Sequence, residues 1–230
     1  MRVLVCGGAG GIGAACLAAA RRRGDEVLGV DRDTVDITLP GGAERAVARA
    51  TERLGGLDGI VHAVGMSGRA LGDGPVSACT DDAWTTVHRV NLESVFRLLR
   101  AGLPVLTAAG GGSIVVVGSA LARTLDGDFL TAAYAVSKAA VETLVRVAAH
   151  EGAPHGVRVN AVAPGLVDTP MARRALTDPR LRERLPDLMP LGGRPSTADE
   201  VAEAITWLLS PAAAPVTGTV LPVDGGWTLR

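Results

Sequence analysis

A tyrosine and a lysine four residues apart, Tyr134 and Lys138, are the pair in this sequence best suited to carry a proton. They lie in an Ala-rich apolar run, 130–149, that predicts a helix, and a helix places such a pair on one face. A free phenol has a pKa of about 10. A cation ~4 Å away, at an effective dielectric constant of ~20, favours the phenolate by roughly 4 kcal/mol at most. The spacing therefore predicts that Tyr134 titrates near neutral pH as a general acid/base, although an isolated Tyr–Lys pair is more commonly a solvated helix face.

A glycine-rich turn, 7–13, follows a short β-branched run and precedes an Ala-rich run with helix-forming composition. Two spacing templates fit the turn: G-x-G-x-x-G on Gly8, Gly10 and Gly13, and G-x-x-x-G-x-G on Gly7, Gly11 and Gly13. Glycines here let the main chain approach a pyrophosphate, whose charge the helix N-terminus attracts. Because the turn lies between a strand and a helix, and Asp31 follows Gly13 by 18 residues, the pattern predicts a dinucleotide site.

Asp31 stands at the end of the second predicted strand, where a carboxylate accepts hydrogen bonds from the ribose hydroxyls of adenosine. The same carboxylate repels a 2′-phosphate, so we expect NAD as the cofactor in preference to NADP. Arg32 points the other way, because a guanidinium beside Asp31 can bind that phosphate. NADP therefore stays open as the alternative cofactor.

Composition and charge exclude several other classes of protein. The 230 residues carry a net charge of -1 and no basic block, so we expect no nucleic-acid partner. Cys6, Cys16 and Cys79 have neither metal-binding nor disulfide spacing, so no metal site is predicted and a reducing cytoplasm is the expected location. No apolar run has the length of a membrane span, and the N-terminus lacks the pattern of a signal peptide. We therefore expect no contact with a membrane.

Strands and helices alternate along the predicted secondary structure. Apolar runs predict strands at 2–6, 26–30, 35–38, 57–64, 113–117, 157–162 and 219–223, and helices at 14–23, 43–54, 81–109 (in two pieces), 130–149 and 197–209. This order is typical of an α/β, Rossmann-type doubly wound parallel sheet of about seven strands with helices on both faces. We expect residues 1–230 to form a single domain. Ligands bind such sheets beyond the carboxyl ends of the strands, where the glycine turn, Asp31, Gly65, Ser119 and Pro164 all fall.

Further motifs follow one another in a fixed order. They are Asn91 in the middle of a helix; Ser119 upstream of the tyrosine; Tyr134 and Lys138 as Y-x-x-x-K; Asn160, Pro164, Gly165 and Thr169 as N-x-x-x-P-G-x-x-x-T; and D-G-G at 224–226. With the turn at 6–13, where Cys6 replaces a Thr, they cover almost the whole chain. In this order the motifs resemble those of the short-chain dehydrogenase/reductase family in its single-domain form.

One motif departs from the pattern of that family. Its N-N-A-G segment is here His62-Ala63-Val64-Gly65, so two amides that brace the sheet in relatives are lost. Gly65 is kept, and close approach of a cofactor is still expected. We interpret His62 as a structural histidine, because no Cys, Asp or second His lies at ligand spacing from it.

The resemblance implies hydride transfer between a nicotinamide and a carbonyl or carbinol carbon. Tyr134 would carry the proton, Lys138 would lower the pKa of the phenol and hold the nicotinamide ribose, and Ser119 would hydrogen-bond the substrate oxygen. Asn91 would hold a water that links Lys138 to solvent. The implied catalytic set is Ser119, Tyr134, Lys138 and Asn91, and the implied cofactor-binding set is Gly7, Gly10, Gly11, Ile12, Gly13, Asp31, Arg32, Asp36, Gly65, Tyr134, Lys138, Pro164, Gly165, Val167 and Thr169.

The substrate is predicted only as a class. We expect 68–74, 121–131 and 171–189 to line the pocket mouth, the last within a mobile substrate lid at about 168–192. The apolar residues of these stretches favour a small, apolar secondary alcohol or ketone: Leu121, Leu125, Phe129, Leu130, Met171, Leu176, Leu185 and Met189. The leading function is therefore an NAD(P)-dependent alcohol dehydrogenase or carbonyl reductase.

Two other functions stay open. A 3-oxoacyl-thioester (acyl carrier protein) reductase is common in the family and would use a basic patch, for which the candidates are Arg173, Arg174, Arg180, Arg182 and Arg184. A non-catalytic dinucleotide-binding regulator would keep the glycine turn and lose the chemistry, and the presence of all four catalytic residues disfavours it. The resemblance also implies a homotetramer, or a homodimer, formed through the helices near 91–109 and 132–150 and through the C-terminal segment.

Overall fold

Six parallel strands form one sheet in the computed structural model, which describes residues 1–229. The strands are β1 (Arg2–Cys6), β2 (Glu26–Val30), β3 (Gly59–His62), β4 (Gly112–Val117), β5 (Val157–Pro164) and β6 (Val220–Val223), in the order β2-β1-β3-β4-β5-β6. Their apolar, β-branched sequences suit strands that are buried on both faces. The predicted parallel α/β sheet is confirmed. Arg230, the last residue of the predicted domain 1–230, lies outside the described residues.

The seventh strand predicted at 35–38 is wrong. The main chain turns here instead, and the N–H groups of Thr34 and Val35 both donate to the carbonyl of Asp31 at 2.8 Å. Ile37 is 2% exposed and packs into the core. Alternation of apolar residues indicated a strand, but β2 is the edge strand of the described sheet and has no partner on its outer side. Core packing of Ile37, and not a strand ladder, accounts for the apolar pattern.

Residues 1–229 contain eight α-helices, and five of them cover the two faces of the sheet. The eight are α1 (Gly11–Arg22), α2 (Gly42–Leu54), α3 (Asp81–His88), α4 (Ser94–Ala108), α5 (Ala132–Gly152), α6 (Arg173–Thr177), α7 (Pro179–Leu188) and α8 (Ala198–Leu209). On one face α2, α4 and α5 enclose a core that includes Leu98 and Ile114, and on the other α1 and α8 enclose Val115 and Ile205. No helix in this part of the chain combines the length and the apolar composition that crossing a bilayer requires.

The predicted helical region 81–109 forms two pieces, as expected, and a π-helical turn joins them. The turn Arg89–Glu93 joins α3 to α4, and α4 continues through Pro104 to Ala108. A π turn inserts one residue into the helical repeat, and such turns are frequent at functional sites. This one carries Asn91, fully buried, toward the carboxyl end of β3.

The sheet changes its direction of growth between β1 and β3. The chain passes from β1 outward to β2 and then returns to place β3 on the opposite side of β1. The loops that follow β1 and β3 therefore leave the sheet in opposite directions and open a crevice at the carboxyl ends of the strands. Doubly wound sheets bind their ligands in such a crevice.

Candidate active site

Main-chain contacts at the carboxyl end of β1 shape the glycine turn. Gly7 has a φ of +88°, and a Cβ there would lie 2.7 Å from the carbonyl oxygen of Ala63, just beyond β3. A Cβ on Gly13 would overlap the carbonyl oxygen of Gly7. Crowding is milder at Gly8 and Gly10, whose nearest atoms would be 3.0 and 3.3 Å away. The template G-x-x-x-G-x-G, and not G-x-G-x-x-G, therefore marks the glycines that the turn requires.

The first turn of α1 is open to an anion. Its N-cap, Gly10, has no side chain to cap the helix, and the turn carries no acidic residue. A Cβ on Gly11 would lie 2.6 Å from Cγ2 of Thr169, so the segment after β5 closes against the same turn. Uncapped main-chain N–H groups and the helix dipole both attract a pyrophosphate. These residues therefore fit the nicotinamide dinucleotide that the sequence motifs imply.

Asp31 is held against the glycine turn. One carboxylate oxygen accepts a hydrogen bond from the N–H of Ala9 at 2.9 Å, and the other accepts from the N–H of Arg32 at 2.7 Å. A carboxylate has about four acceptor sites, so Asp31 retains capacity for ribose hydroxyls. Asp36 is turned into its own loop, where one oxygen accepts from both the N–H and the hydroxyl of Thr38. The adenine contact of Asp36 stays a prediction.

A cavity of about 200 Å³ lies beside the glycine turn at the carboxyl ends of the central strands. Its wall brings together nine predicted site residues: Ile12, Gly65, Ser119, Tyr134, Lys138, Pro164, Gly165, Val167 and Thr169. Of the remaining predicted residues, the glycines lie in the turn after β1, three others in the loop after β2, and Asn91 behind the wall. Loops that follow separate strands thus converge on one place, as the order of the motifs predicted.

Tyr134 and Ser119 both line the cavity. Burial raises the pKa of Tyr134 above its ordinary value, and the nearby Ser119 hydroxyl lowers that pKa by a smaller amount. The prediction that Lys138 brings this pKa near neutrality is wrong. Lys138 Nζ lies 5.8 Å from the ring centroid and donates to the carbonyl of Val117 at 2.8 Å. The phenol is therefore protonated at neutral pH, which is the form that donates a proton.

Lys138 and Asn91 converge on Gly65. The Lys138 side chain is buried, and burial lowers its pKa to about 8. A Cβ on Gly65 would lie 3.5 Å from Asn91 Oδ1 and 3.6 Å from Lys138 Nζ. Asn91 binds the main chain of Met66 twice, since Oδ1 accepts from the N–H at 2.9 Å and Nδ2 donates to the carbonyl at 3.0 Å. Asn91 therefore fastens the loop after β3 to the π turn, and its water-holding role stays a prediction.

His62 is fully buried at the end of β3. The hydroxyl of Ser94 donates to the carbonyl of Val90 at 2.6 Å, so it accepts from His62 Nε2 at 2.8 Å. This assignment leaves Nδ1 unprotonated, and Nδ1 has no hydrogen-bond partner within the described chain. Burial, followed by the charge of Lys138, lowers the pKa of His62 to about 3. His62 is therefore a neutral brace between β3 and α4, in line with the structural role predicted for it.

Asp73 anchors the helix that carries Tyr134, and no sequence motif pointed to it. The residue is 5% exposed, and its carboxylate accepts hydrogen bonds from the N–H groups of Ala133 and Tyr134, each at 3.0 Å. The N-cap of α5, Thr131, makes no capping hydrogen bond with its own side chain. The residue that caps a helix ordinarily lies within three residues of its start. Asp73 caps α5 from 61 residues away, so only the folded chain reveals it.

Three of the eight apolar residues predicted to line the pocket do so: Leu121, Phe129 and Met171. The prediction is wrong for the other five: Leu125 and Leu130 are exposed, and Leu176, Leu185 and Met189 pack into a small core with Trp227. For Leu176 and Leu185 the reason is helical periodicity, because α6 and α7 each need an inward apolar face of their own. Apolar residues of this segment therefore stabilise it more than they shape the cavity.

The cavity is also lined by three large side chains that no motif singled out: Arg69, Arg174 and Trp227. Arg69 and Arg174 lie within the stretches 68–74 and 171–189 that were expected at the pocket mouth, but Arg174 was singled out only as part of a basic patch and Arg69 not at all. The signal that could have singled them out is a cation placed inside a stretch otherwise expected to contact an apolar substrate. Trp227 follows the D-G-G motif directly, but nothing in its spacing relates it to the other lining residues.

Comparisons with known proteins extend these observations. A family model described as enoyl-(acyl carrier protein) reductase matches residues 34–228. Galactitol 2-dehydrogenase (L-tagatose-forming) from Cereibacter sphaeroides is 43% identical over 153 residues, which span 65% of this chain and only 59% of that protein. Cis-4-hydroxycyclohexanecarboxylate dehydrogenase from Sinomonas cyclohexanicum is 35% identical over 245 residues, which span 98% of this chain and 95% of that protein. The similarity in sequence thus extends well beyond the motifs.

A solved structure agrees with the sequence relatives. The structure of a short-chain type dehydrogenase/reductase from Mycobacterium ulcerans matches with a TM-score of 0.91 and 31% sequence identity, over 99% of this chain and 90% of that one. The segment covered by the family model also contains Asn91, Ser119, Tyr134 and Lys138. Fold, motifs and similarity therefore point to the same family.

Proposed function

The chain belongs to the short-chain dehydrogenase/reductase family, and we propose that it interconverts a small secondary alcohol and its ketone with NAD, using Tyr134 as general acid/base. Membership makes it an oxidoreductase that uses a nicotinamide cofactor. The observation that carries the finer proposal is that Ser119 and Tyr134 share the wall of a cavity beside the uncapped N-terminus of α1.

The chain supplies the proton and the positioning for this reaction. When bound, the nicotinamide gives a hydride to the substrate carbon in reduction and takes one in oxidation. As a ketone is reduced its oxygen gains negative charge, and Tyr134 donates a proton to that oxygen. Ser119, which lines the same cavity as Tyr134, places the substrate oxygen beside the phenol. Lys138, which lines the same cavity, would hold the ribose of the nicotinamide.

Oxidation of an alcohol runs the same transfer backwards. Tyr134 must then be deprotonated before it can accept the proton of the carbinol. Because burial raises its pKa, only a small fraction of the phenol is ionised at neutral pH. We therefore expect the chain to be poised for reduction near neutrality and for oxidation in alkaline solution.

Asp31 supports NAD as the cofactor in preference to NADP. Its carboxylate is fixed by the N–H groups of Ala9 and Arg32 and would repel a 2′-phosphate. Arg32 is exposed, and its guanidinium could bind such a phosphate. That contact would favour NADP. Titration of the protein with NADH and NADPH, followed by nicotinamide fluorescence at fixed salt, decides between them. Tighter binding of NADPH would remove the preference for NAD.

Tyr134→Phe tests the catalytic role. The change deletes one hydroxyl and keeps the ring, so NADH should bind as in the wild type while kcat falls by about 10²- to 10⁴-fold. A variant that retains more than about a tenth of wild-type kcat would exclude Tyr134 as the proton carrier. A variant without activity that performs every cellular role of the wild type would instead favour a non-catalytic regulator.

A 3-oxoacyl-thioester reductase is the second candidate, and the basic segment around α6 and α7 favours it. Part of that charge is already used, because Arg184 binds Asp126 and Asp128 and Arg180 binds Asp178. Competition between acyl thioesters and simple ketones for one site separates the two functions. A strong preference for thioesters on an acyl carrier would establish the second.

Four expectations from the sequence stay predictions. We propose that residues 1–230 act as one domain, that 168–192 forms a lid over the cavity, and that the chain works in the cytoplasm. We also propose a homotetramer or homodimer, because α4 and α5 expose Phe96, Val136 and Val147. Light scattering that gives the mass of one chain would remove the proposed oligomer.

A further inference from the structure

Two guanidinium groups from separate parts of the chain line the active-site cavity. Arg69 lies in the single turn Arg69–Leu71 of the loop after β3, and Arg174 lies in α6. The same cavity carries Ser119 and Tyr134. Cations are costly on the wall of a site for an apolar substrate, because substrate binding removes water from them without replacing its hydrogen bonds.

Neither arginine has a carboxylate partner within residues 1–229. Arg69 is partly buried, and its Nη2 donates to the main-chain carbonyl of Asp128 at 2.8 Å. The guanidinium of Arg174 makes no hydrogen bond or ion pair within the described chain. Burial lowers the pKa of Arg69, the positive charge of Arg174 lowers it further, and the carboxylates of Asp73 and Asp128 raise it by smaller amounts. The two cations are therefore close enough to repel each other.

Acids near the cavity mouth are already engaged. Arg184 binds Asp126 at 2.6 Å and also binds Asp128. The carboxylate of Asp73 accepts from the N–H groups at the start of α5. An anion that enters the cavity can therefore accept hydrogen bonds from two guanidinium groups. Arg69 uses one donor on the carbonyl of Asp128, and Arg174 uses none within the described chain.

We propose that the substrate carries a carboxylate bound between Arg69 and Arg174, which makes it a secondary hydroxy acid or the corresponding oxo acid. The inference rests on the proposed function, because it names the substrate of that same site. A guanidinium binds a carboxylate through two parallel hydrogen bonds, and the negative charge offsets the repulsion between the two arginines. Apolar residues on the rest of the wall suit a short hydrocarbon spacer between the two groups: Met66, Leu121, Phe129, Leu166 and Trp227.

Matched ketones separate the charge from the rest of the substrate. The probes are levulinate and its next two longer homologues, each compared with its own methyl ester at fixed salt. We expect the best acid to exceed its ester in kcat/KM by at least about tenfold. Arg174→Ala should lower kcat/KM for that acid by about tenfold or more and change the value for the ester by less than about twofold.

Arg173→Ala is the matched control, because Arg173 precedes Arg174 in α6 and is exposed as Arg174 is, but does not line the cavity. It should leave both values unchanged. Arg69→Lys is a second variant, which keeps the positive charge and removes the two parallel donors of the guanidinium. It should lower kcat/KM for the acid with little effect on the loop. Equal turnover of acids and esters, or an equal loss for both in Arg174→Ala, overturns the carboxylate site and leaves the oxidoreductase function standing.

A binding measurement covers the case in which no probe is turned over. Levulinate is then titrated in the presence of NADH while the tryptophan fluorescence is followed, since Trp227 lines the cavity. Saturable quenching in the wild type and in Arg173→Ala, weakened by about tenfold or more in Arg174→Ala, supports the carboxylate site although the proposed reaction has failed. The same response in all three proteins, or none in any of them, overturns it.

Discussion

Main-chain contacts build the glycine turn, whereas side chains from three distant segments build the mouth of the substrate cavity. In the turn, a Cβ on Gly13 would overlap the carbonyl oxygen of Gly7. A Cβ on Gly7 would lie only 2.7 Å from the carbonyl oxygen of Ala63. At the mouth, Arg69, Phe129 and Arg174 come from the loops after β3 and β4 and from α6. One region is specified by which side chains are absent, the other by which are present.

This difference explains why the glycine turn can be recognised as a sequence motif and the cavity mouth cannot. Steric exclusion acts between residues at fixed separations along one turn, so the glycines recur at fixed spacing. Side chains that meet in a cavity need no particular separation in sequence, because loops of many lengths bring them together. We therefore expect changes in the turn to have large effects, and changes at the mouth to alter the choice of substrate.

The largest expected effect tests the steric half of this comparison. Gly13→Ala places a methyl group against the carbonyl of Gly7, so cofactor affinity should fall by more than about 100-fold and stability by about 3 kcal/mol. Gly10→Ala is the matched change, because its nearest atom would be 3.3 Å away, and it should cost much less. Fluorescence titration with NADH and urea unfolding measure both. Equal losses in the two variants would show that crowding does not govern the turn.

The next effect concerns Tyr134, on the wall of the cavity. Its pKa is raised, so the phenolate fraction increases about tenfold per pH unit below that pKa. Alcohol oxidation should therefore accelerate by roughly 30-fold from pH 6.5 to 8, while ketone reduction stays nearly constant. Tyr134 is the only tyrosine, so the ultraviolet absorbance of tyrosinate reports its ionisation directly. A flat oxidation profile would contradict a raised pKa.

A smaller effect tests the side-chain half of the comparison at Asp73. Asp73→Asn removes the charge that binds the N–H groups of Ala133 and Tyr134, so kcat should fall about tenfold and stability by about 1–2 kcal/mol. Cofactor affinity should be unchanged, because the glycine turn is not touched. Asp82→Asn, in the exposed first turn of α3, is the control and should alter neither value. Loss of cofactor affinity in Asp73→Asn would mean that the two regions are not independent.

The smallest effect concerns His62, the buried last residue of β3. Its folded pKa of about 3 lies below the unfolded value of about 6.5, so the unfolded chain binds the extra proton and stability falls as pH drops below that unfolded value. This group should cost about 1 kcal/mol between pH 6.5 and 5.5. His62→Asn should remove that dependence and leave NADH binding at pH 7 within about twofold. Parallel stability curves for the two proteins over this range would show that His62 does not titrate on unfolding.

The parts of the site that the sequence predicted share a physical basis. Tyr134 and Lys138 lie on one helix, and the glycines lie in one turn, so local geometry relates their positions. Alternation of strands and helices then predicted that the loops carrying Gly65, Ser119 and Pro164 meet at one edge of the sheet, and the cavity wall contains all three. Predictions failed where burial competes with a local rule, as at 35–38 and in the pKa of Tyr134.

By itself the sequence determined the family, the parallel α/β sheet and the residues expected to carry the proton, because those depend on periodicity and on short, fixed spacings. Only the tertiary structure decided that Asp73 caps α5, that Lys138 donates to the carbonyl of Val117, and that Arg69 and Arg174 line one cavity. These contacts join residues far apart in the chain, whose distance depends on how the loops pack. Burial also sets the pKa of Tyr134, and burial is a property of the whole fold.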